Sequence, residues 1–511
     1  MSFDALTAVF TTDNLTVIFL ATLYGTFVGA MPGLTATMAV ALLVPFTFFM
    51  DPVPAISAII ATTTTAIFAG DIAGALLRMP GTPASAAYVD DAFRLARRGA
   101  ARRVLFVSLL TASIGGIVGV AILTLSAPQL ARFAIGFSSF ENFWLAALGL
   151  TCAIFAGSGT VAKNFASLFF GLFVASIGID VAVGYPRFTF GNVELLDGVS
   201  FIPAMIGLFA MSEVLRNARA GNKAVKLDVA LDRLGDAFWA AARSLKSFRR
   251  VIAQSSGLGT LIGALPGAGA DVAAWIAYAL AKRGSKTPKD YGNGSFEGIA
   301  AGGAANNAGV AGAWTPALVF GIPGDSVTAI AIGVLLMKGL TPGPLIFTND
   351  PTLVGALFGS FFVANIVMLF TGTLAIALAT LILKVPRSVL MPLILLSSLV
   401  GAFAITNSVI AVWIVLTLGI IGFFMEENGI PMAPAILGIV LGRVVEDNFM
   451  LSMLKAQGEL AAFFERPVAA VLGSLTVLLW ALLLLRALRQ IWRGSGARSD
   501  EKLSDEETAR D

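Results

Sequence analysis

Nine residues that occur twice limit what this chain can become. Gly25-Thr26-Phe27-Val28-Gly29-Ala30-Met31-Pro32-Gly33 returns as Gly259-Thr260-Leu261-Ile262-Gly263-Ala264-Leu265-Pro266-Gly267, with six identities and three positions apolar in both. In each copy the G-x-x-x-G offers a small face for close helix packing. The Pro-Gly then ends one half-helix and allows a tight turn into the next. The opened half-helix presents free N–H groups, a ready place for an anion. Matching breaks in two halves of an apolar chain point to a binding site between repeats.

Each copy is embedded in apolar sequence. The chain of 511 residues is 57% hydrophobic and 13% charged, whereas soluble chains are about 25% charged. It therefore reads as an all-α polytopic integral membrane protein of two inverted-topology repeats with re-entrant, broken helices. The lipid bilayer is its solvent, and no nucleic-acid partner is expected. There is no histidine, so imidazole metal sites and histidine proton relays are excluded; no cofactor and no bound metal are expected. Cys152 stands alone in an apolar run and reads as a buried hydrophobe. The first residues lack a basic segment and a cleavage site, and no removable signal peptide is expected.

The first hairpin, 15–50, is flanked by Asp13 and Asp51 without basic residues, so both its ends read as external. Each arm is about 17 residues, at the lower limit for a span. A long apolar segment, 54–79, runs into Pro80-Gly81-Thr82-Pro83-Ala84-Ser85, and then Arg94, Arg97, Arg98, Arg102 and Arg103 mark a cytoplasmic loop. Apolar segments near 104–125, 143–160, 165–183 and 200–215 complete a first repeat, 1–215. Residues 216–250 hold nine Lys/Arg against three Asp and form a cytoplasmic linker. Within it Leu227, Leu231, Leu234 and Phe238 share one helical face, suited to the inner leaflet or to a partner protein. The second hairpin, 251–281, is flanked by Arg249-Arg250 and Lys282-Arg283, so it opens to the cytoplasm. Its arms are about 15 residues, roughly 22 Å, short of a full span. Apolar segments near 352–382, 388–405, 408–425, 430–442 and 467–487 finish the second repeat, 251–490, and 491–511 reads as a disordered cytoplasmic tail.

Several polar residues sit where an ion pathway needs them. Gly33-Leu34-Thr35 and Gly267-Ala268-Gly269 follow the two breaks and offer N–H donors. Thr37, Thr82, Ser85, Asn306, Asn307 and Ser326 add side-chain donors and acceptors. Thr62 to Thr65 are read first as bonding back to their own helix; adjacent amides at 306 and 307 are harder to satisfy that way. Arg78 is open to three readings: a clamp for a substrate carboxylate, an arginine reaching the headgroups, or a partner of Asp71. Asp71, Asp271 and Asp325 are intramembrane carboxylates by position, able to carry H⁺ or to hold Na⁺, with Asp325 alternatively an N-cap.

With these residues in view, the chain resembles the large permease subunit of the tripartite tricarboxylate transporters, the TctA family. The resemblance spans about 15–490. It rests on Gly25 to Gly33 with Leu34, Pro80-Gly81-Thr82-Pro83, Gly263 to Gly269, Asn306-Asn307, Gly321-Ile322-Pro323-Gly324 and the run from Lys338 to Leu345. It implies a bacterial inner-membrane importer of small organic anions, of the tri- and dicarboxylate class, coupled to Na⁺ or H⁺. It also implies two partners, a small four-helix membrane subunit and a periplasmic substrate-binding protein. Two other readings remain at this stage. One is a membrane-embedded enzyme acting on a phosphorylated substrate through Asp90-Asp91; the other is a scaffold subunit.

Overall fold

A computed structural model describes residues 7–156, 159–180, 184–220, 232–266, 269–383, 387–483 and 485. The first half runs through α1 (Thr12–Gly29), α2 (Ala36–Thr47), α3 (Pro52–Leu77), α4 (Val89–Leu95), α5 (Ala101–Ala134), α6 (Ser139–Ala156), α7 (Val161–Ala175), α8 (Phe201–Met205) and α9 (Ser212–Ala220). The second runs through α10 (Leu234–Gly263), α11 (Gly269–Gly284), α12 (Phe296–Phe320), α13 (Ser326–Met337), α14 (Ile346–Asn349), α15 (Pro351–Ile382), α16 (Arg387–Thr406), α17 (Val409–Glu427), α18 (Met432–Lys455) and α19 (Pro467–Leu483). Among the described residues the sole β-pairing is Gly178–Ile179 against Pro186–Arg187. Among the described residues four helices, or fused helix pairs, are long and apolar enough to cross a membrane, and shorter apolar helices accompany them. The protein is an all-α polytopic membrane protein.

Local sequence accounts for where the central helices start and stop. Pro52 and Pro351 open α3 and α15, where a missing N–H costs nothing. Thr35 caps α2 by accepting from Met38 N, and Ser295 caps α12 by accepting from Gly298 N. α3 and α12 both end on a left-handed residue, Arg78 (φ 58°) and Gly321 (φ 67°).

The duplication seen in the hairpins extends to the broken helices. A Cβ added to Gly25 or Gly29 would meet Thr62 O at 2.5 Å or Ala66 O at 2.4 Å. One added to Gly259 or Gly263 would meet Ala305 O at 2.5 Å or Gly309 O at 2.3 Å. Each hairpin thus lays its G-x-x-x-G on the backbone of the next long helix, α1 on α3 and α10 on α12. The hairpins correspond at an offset of 259 − 25 = 234 and the broken helices at 305 − 62 = 243. The same 243 relates Gly81 to Gly324, each in contact with the helix before its break, at Gly70 and Ala313 (313 − 70 = 243).

Contacts between the repeats are reciprocal. Thr37, at the tip of the first hairpin, hydrogen-bonds Ser326 after the second break at 3.0 Å. Its counterpart Asp271 accepts from the Ala84 main chain after the first break, and Trp275 Nε1 donates to Pro83 O at 3.1 Å. Asn307 Nδ2 donates to Thr64 O at 3.1 Å, and these two positions are equivalents (307 − 64 = 243). Contacts exchanged between the copies, together with equivalent positions that touch each other, are the pattern of a two-fold relation. The crossing of α3 and α12 therefore lies on the axis that relates the repeats.

Helix lengths depart from the sequence expectation in instructive ways. α2 has 12 residues, not about 17, because the chain turns at Phe48 to Met50, whose carbonyls are held by Lys338 Nζ at 2.7 Å (Phe48 O) and 2.5 Å (Met50 O). α10 runs unbroken for 30 residues from Leu234, joining the end of the linker to the second hairpin. Leu234 and Phe238 are half-buried and pack against the core containing Phe106, with Phe238 edge-on to it at 5.4 Å. Leu227 and Leu231 lie outside the described residues. The apolar segment at 165–183 is helical only to Ala175, where the chain enters the β-pair. α5 passes through Pro128 to Ala134. α6, α7, α18 and α19 share a smaller core that also takes in Ile322, and Arg466 Nε meets the buried Glu141 there at 2.5 Å.

Candidate functional site

The two breaks are built alike. After the first, Thr82 Oγ1 accepts from Ser85 N and Ser85 Oγ accepts from Thr82 N, both at 3.1 Å. After the second, Asp325 Oδ1 accepts from Thr328 N at 2.8 Å and Thr328 Oγ1 accepts from Asp325 N at 2.9 Å. The same reciprocal pattern stands at equivalent positions (325 − 82 and 328 − 85 are both 243): after the second break it is the capping box of α13, and after the first it closes the turn ahead of the short 3₁₀ segment Ser85–Ala87. Asp325 is thus the N-cap of α13, and its carboxylate already occupies one of the N–H groups that an anion could use. A Cβ on Gly269 would lie 2.9 Å from Asp325 Cβ, so the tip of the second hairpin rests on this cap. Asp271 lies within electrostatic range of Asp325 and is exposed, whereas Asp325 is half-buried.

Gly33 turns the first tip at φ 90°, Leu34 is buried beneath it, and Thr35 caps α2. Gly33, Leu34, Thr35, Thr82, Ser85, Gly269, Asp271, Asp325 and Ser326 therefore surround the meeting of two tips and two breaks. Gly267 and Ala268 lie outside the described residues.

Arg78 stands apart from this group. Its side chain is 58% exposed, and Nε donates to Asp90 Oδ1 at 2.7 Å. Among the described residues it makes no ion pair with Asp71. The Asp90-Asp91 pair does not act as one chelate, since Asp91 accepts from Tyr278 Oη and Gly294 N, both at 2.7 Å.

Deeper, between α3, α5 and α12, lies a buried polar network. Asp71 accepts from Tyr88 Oη at 3.0 and 3.1 Å and from Ser108 Oγ. No Lys or Arg pairs with it among the described residues. Tyr88 also takes a side-chain hydrogen bond from Asn306, and its ring fills the space beside Gly302. Next to it Asn307 reaches Thr64 O. Asn306 and Asn307 are 2% and 3% exposed. Sequence reasoning missed Tyr88 and Ser108; a tyrosine hydroxyl in an apolar stretch of a chain with five tyrosines was the available signal.

A family model for "Tripartite tricarboxylate transporter TctA family" matches residues 15–437. The chain belongs to the TctA family. Among the described helices, that span covers both hairpins, both breaks and the α3–α12 crossing. An Agrobacterium vitis protein described as "Uncharacterized 52.8 kDa protein in TAR-I ttuC' 3'region" is 30% identical over 476 residues, 93% of this chain and 94% of its own length. A second from that organism, "Uncharacterized protein in TAR-II ttuC' 3'region", is 32% identical over 231 residues, 45% of this chain and 96% of its own. No solved structure matches the chain significantly. As a TctA-family protein it is a multi-pass membrane component of a tripartite transporter, a system that includes further subunits and a binding protein.

Proposed function

We propose that this TctA-family chain is the permease through which a small organic anion of the di- or tricarboxylate class enters a bacterial cell across the inner membrane. Import is cation-coupled, by Na⁺ or H⁺. A periplasmic substrate-binding protein delivers the anion, and a small four-helix subunit completes the assembly. The observation that carries this reading is the convergence of two hairpin tips and two capped breaks around one two-fold axis. Broken helices meeting at a repeat interface are how membrane transporters place a substrate within the bilayer. Flanking charge, acidic or neutral around 15–50 and basic around 251–281, supports an axis lying in the membrane plane.

Thr35, Thr82, Ser85, Gly269 and Ser326 supply the donors in this reading, and Asp271 and Asp325 are carboxylates that a cation or proton neutralises when the anion binds. Arg78, paired with Asp90, is left out of the set. Uptake of labelled carboxylates into proteoliposomes, under an imposed Na⁺ gradient and then a pH gradient, tests the function. Uptake that ignores both gradients overturns the coupling. Topology is tested by single cysteines at Asp51 and Ser285 in a Cys152→Ser background. Labelling of both from one side of the cell membrane overturns the inverted arrangement.

A further inference from the structure

The α3–α12 crossing holds an unusual concentration of unmet acceptors. Thr64 Oγ1, Asn306 Oδ1 and Asn307 Oδ1 are all buried and have no hydrogen-bond partner. Buried polar atoms in native proteins are nearly always satisfied, so three orphans at one crossing need an account. Two of the three are amide oxygens, which only accept. The Asn307 amide nitrogen is spent on Thr64 O, which leaves Oδ1 turned away from that bond. The two amide oxygens have no proton to share, the Thr64 hydroxyl has a free lone pair, and hard oxygens of this kind suit a small cation.

Charge points the same way. Asp71 lies seven residues beyond Thr64 on α3, about 10 Å along the helix. It is 5% exposed, receives two hydroxyl donors and has no Lys or Arg partner among the described residues. A buried carboxylate without a counter-charge is costly in a bilayer. Tyr88 links it to Asn306, so the carboxylate is held one side chain away from Asn306, the residue next to Asn307. Neutral oxygens with one nearby negative charge favour a monovalent ion. No cluster of three or more His, Cys, Asp or Glu suited to a transition metal exists among the described residues.

We propose that the α3–α12 crossing binds a small monovalent cation of the Na⁺ type, with the oxygens of Thr64, Asn306 and Asn307 as ligands and Asp71 as the compensating charge. The site is set apart from the hairpin tips and lies on the two-fold axis. It rests on the transport reading above only in making this ion a coupling ion in addition to the one that neutralises Asp271 and Asp325; the binding itself does not depend on it. One repeat carries the amides. The equivalents of Asn306 and Asn307 are Thr63 and Thr64 (306 − 63 = 243), so the first repeat meets the site with a hydroxyl and the second with two amides.

The test uses purified full-length protein, without substrate or partner subunits. Thermal unfolding is followed in NaCl, KCl and choline chloride at constant ionic strength. Selective binding to the folded state raises the unfolding temperature saturably. The expected result is a Na⁺-specific rise that K⁺ and choline do not reproduce. In Thr64→Val the half-saturating Na⁺ concentration rises at least roughly tenfold, and likewise in Asn306→Ala and Asp71→Asn. Thr64→Val removes a hydroxyl that has no partner, so it folds even where an asparagine variant does not. Equal stabilisation of the wild type by all three salts overturns the site and leaves water as the occupant. A Na⁺ effect undiminished in Thr64→Val places the ion elsewhere and also overturns it. Because no anion is present, a failure of carboxylate uptake leaves this result untouched, and absence of Na⁺ binding leaves uptake driven by protons open.

Discussion

The two repeats share a backbone and differ in what they hang on it. Both lay a G-x-x-x-G on a long helix, end that helix on a left-handed residue, and follow the break with a reciprocal pair of side-chain-to-backbone bonds three residues apart. At matched positions the first repeat has Thr37, Thr63, Thr64 and Thr82, and the second has Asp271, Asn306, Asn307 and Asp325. Hydroxyls in one become carboxylates and amides in the other. Glycine stands at 321 where the first repeat has Arg78, and Trp314 stands where it has Asp71. The lesson is that geometry is duplicated because the break must be made twice, whereas the ionisable chemistry is placed once at each level.

Packing should be symmetric in its failure. Gly29→Leu and Gly263→Leu each drive a side chain into a helix backbone 2.4 or 2.3 Å from the first added carbon. Both variants are expected to lose the folded protein, with monodisperse material after detergent extraction down to roughly a tenth or less. If one hairpin tolerates leucine and the other does not, the equivalence drawn from the contacts is broken.

The polar positions should be asymmetric. Asn306→Ala and Asn307→Ala are expected to leave membrane expression intact and to lower proteoliposome uptake at least several-fold. Thr63→Val, in the matching place, is expected to keep uptake within about twofold, since the Thr63 hydroxyl bonds only to Ile59 O of its own helix. Equal losses in both repeats would assign the asparagines to packing.

Asp325→Thr sharpens the comparison further, because it gives the second break the residue of the first. A threonine still caps, so the unfolding midpoint should move by no more than about 0.5 kcal/mol-equivalent. Thr82→Ala, which removes one of the two reciprocal bonds of the first break, is expected to cost about 1 kcal/mol. If Asp325 carries charge as well as a cap, Asp325→Thr alters the response of uptake to an imposed pH gradient while stability holds. Uptake with unchanged coupling would reduce Asp325 to its capping role. Asp271→Asn is the companion variant, and it is expected to leave anion binding measurable while uncoupling uptake from the pH gradient.

The smallest expected effect concerns the helix ends. Gly321→Ala puts a Cβ at φ 67° and 2.9 Å from Pro342 O, so it should destabilise by at least about 1 kcal/mol. Arg78→Gly relieves a similar backbone cost and loses one exposed ion pair, so it should leave the midpoint nearly unchanged, within about 1 kcal/mol. A large loss of uptake in Arg78→Gly with stability intact would return Arg78 to the substrate site.

Composition and periodicity were enough to read an all-α membrane protein, because apolar runs bounded by Pro, Gly and charge constrain helices locally. The duplicated hairpins were legible for the same reason: Gly259 to Gly267 repeats Gly25 to Gly33 residue by residue. The repeat could be followed through Pro80-Gly81 and Pro323-Gly324, at 323 − 80 = 243, but no further into function. Side-chain partners are decided by packing between segments far apart in the chain. Arg78 could have faced Asp71 or a substrate, and it is the turn at Arg78 and the course of α4 that bring Asp90 to it. The Asp71 network depends on Ser108 from α5 and Tyr88 from the segment before α4, neither of which has a local pattern that announces it. That Asn307 meets Thr64 follows only from a two-fold axis passing between them. Sequence can show that a unit occurs twice, but where its copies touch is set by how their faces pack in three dimensions.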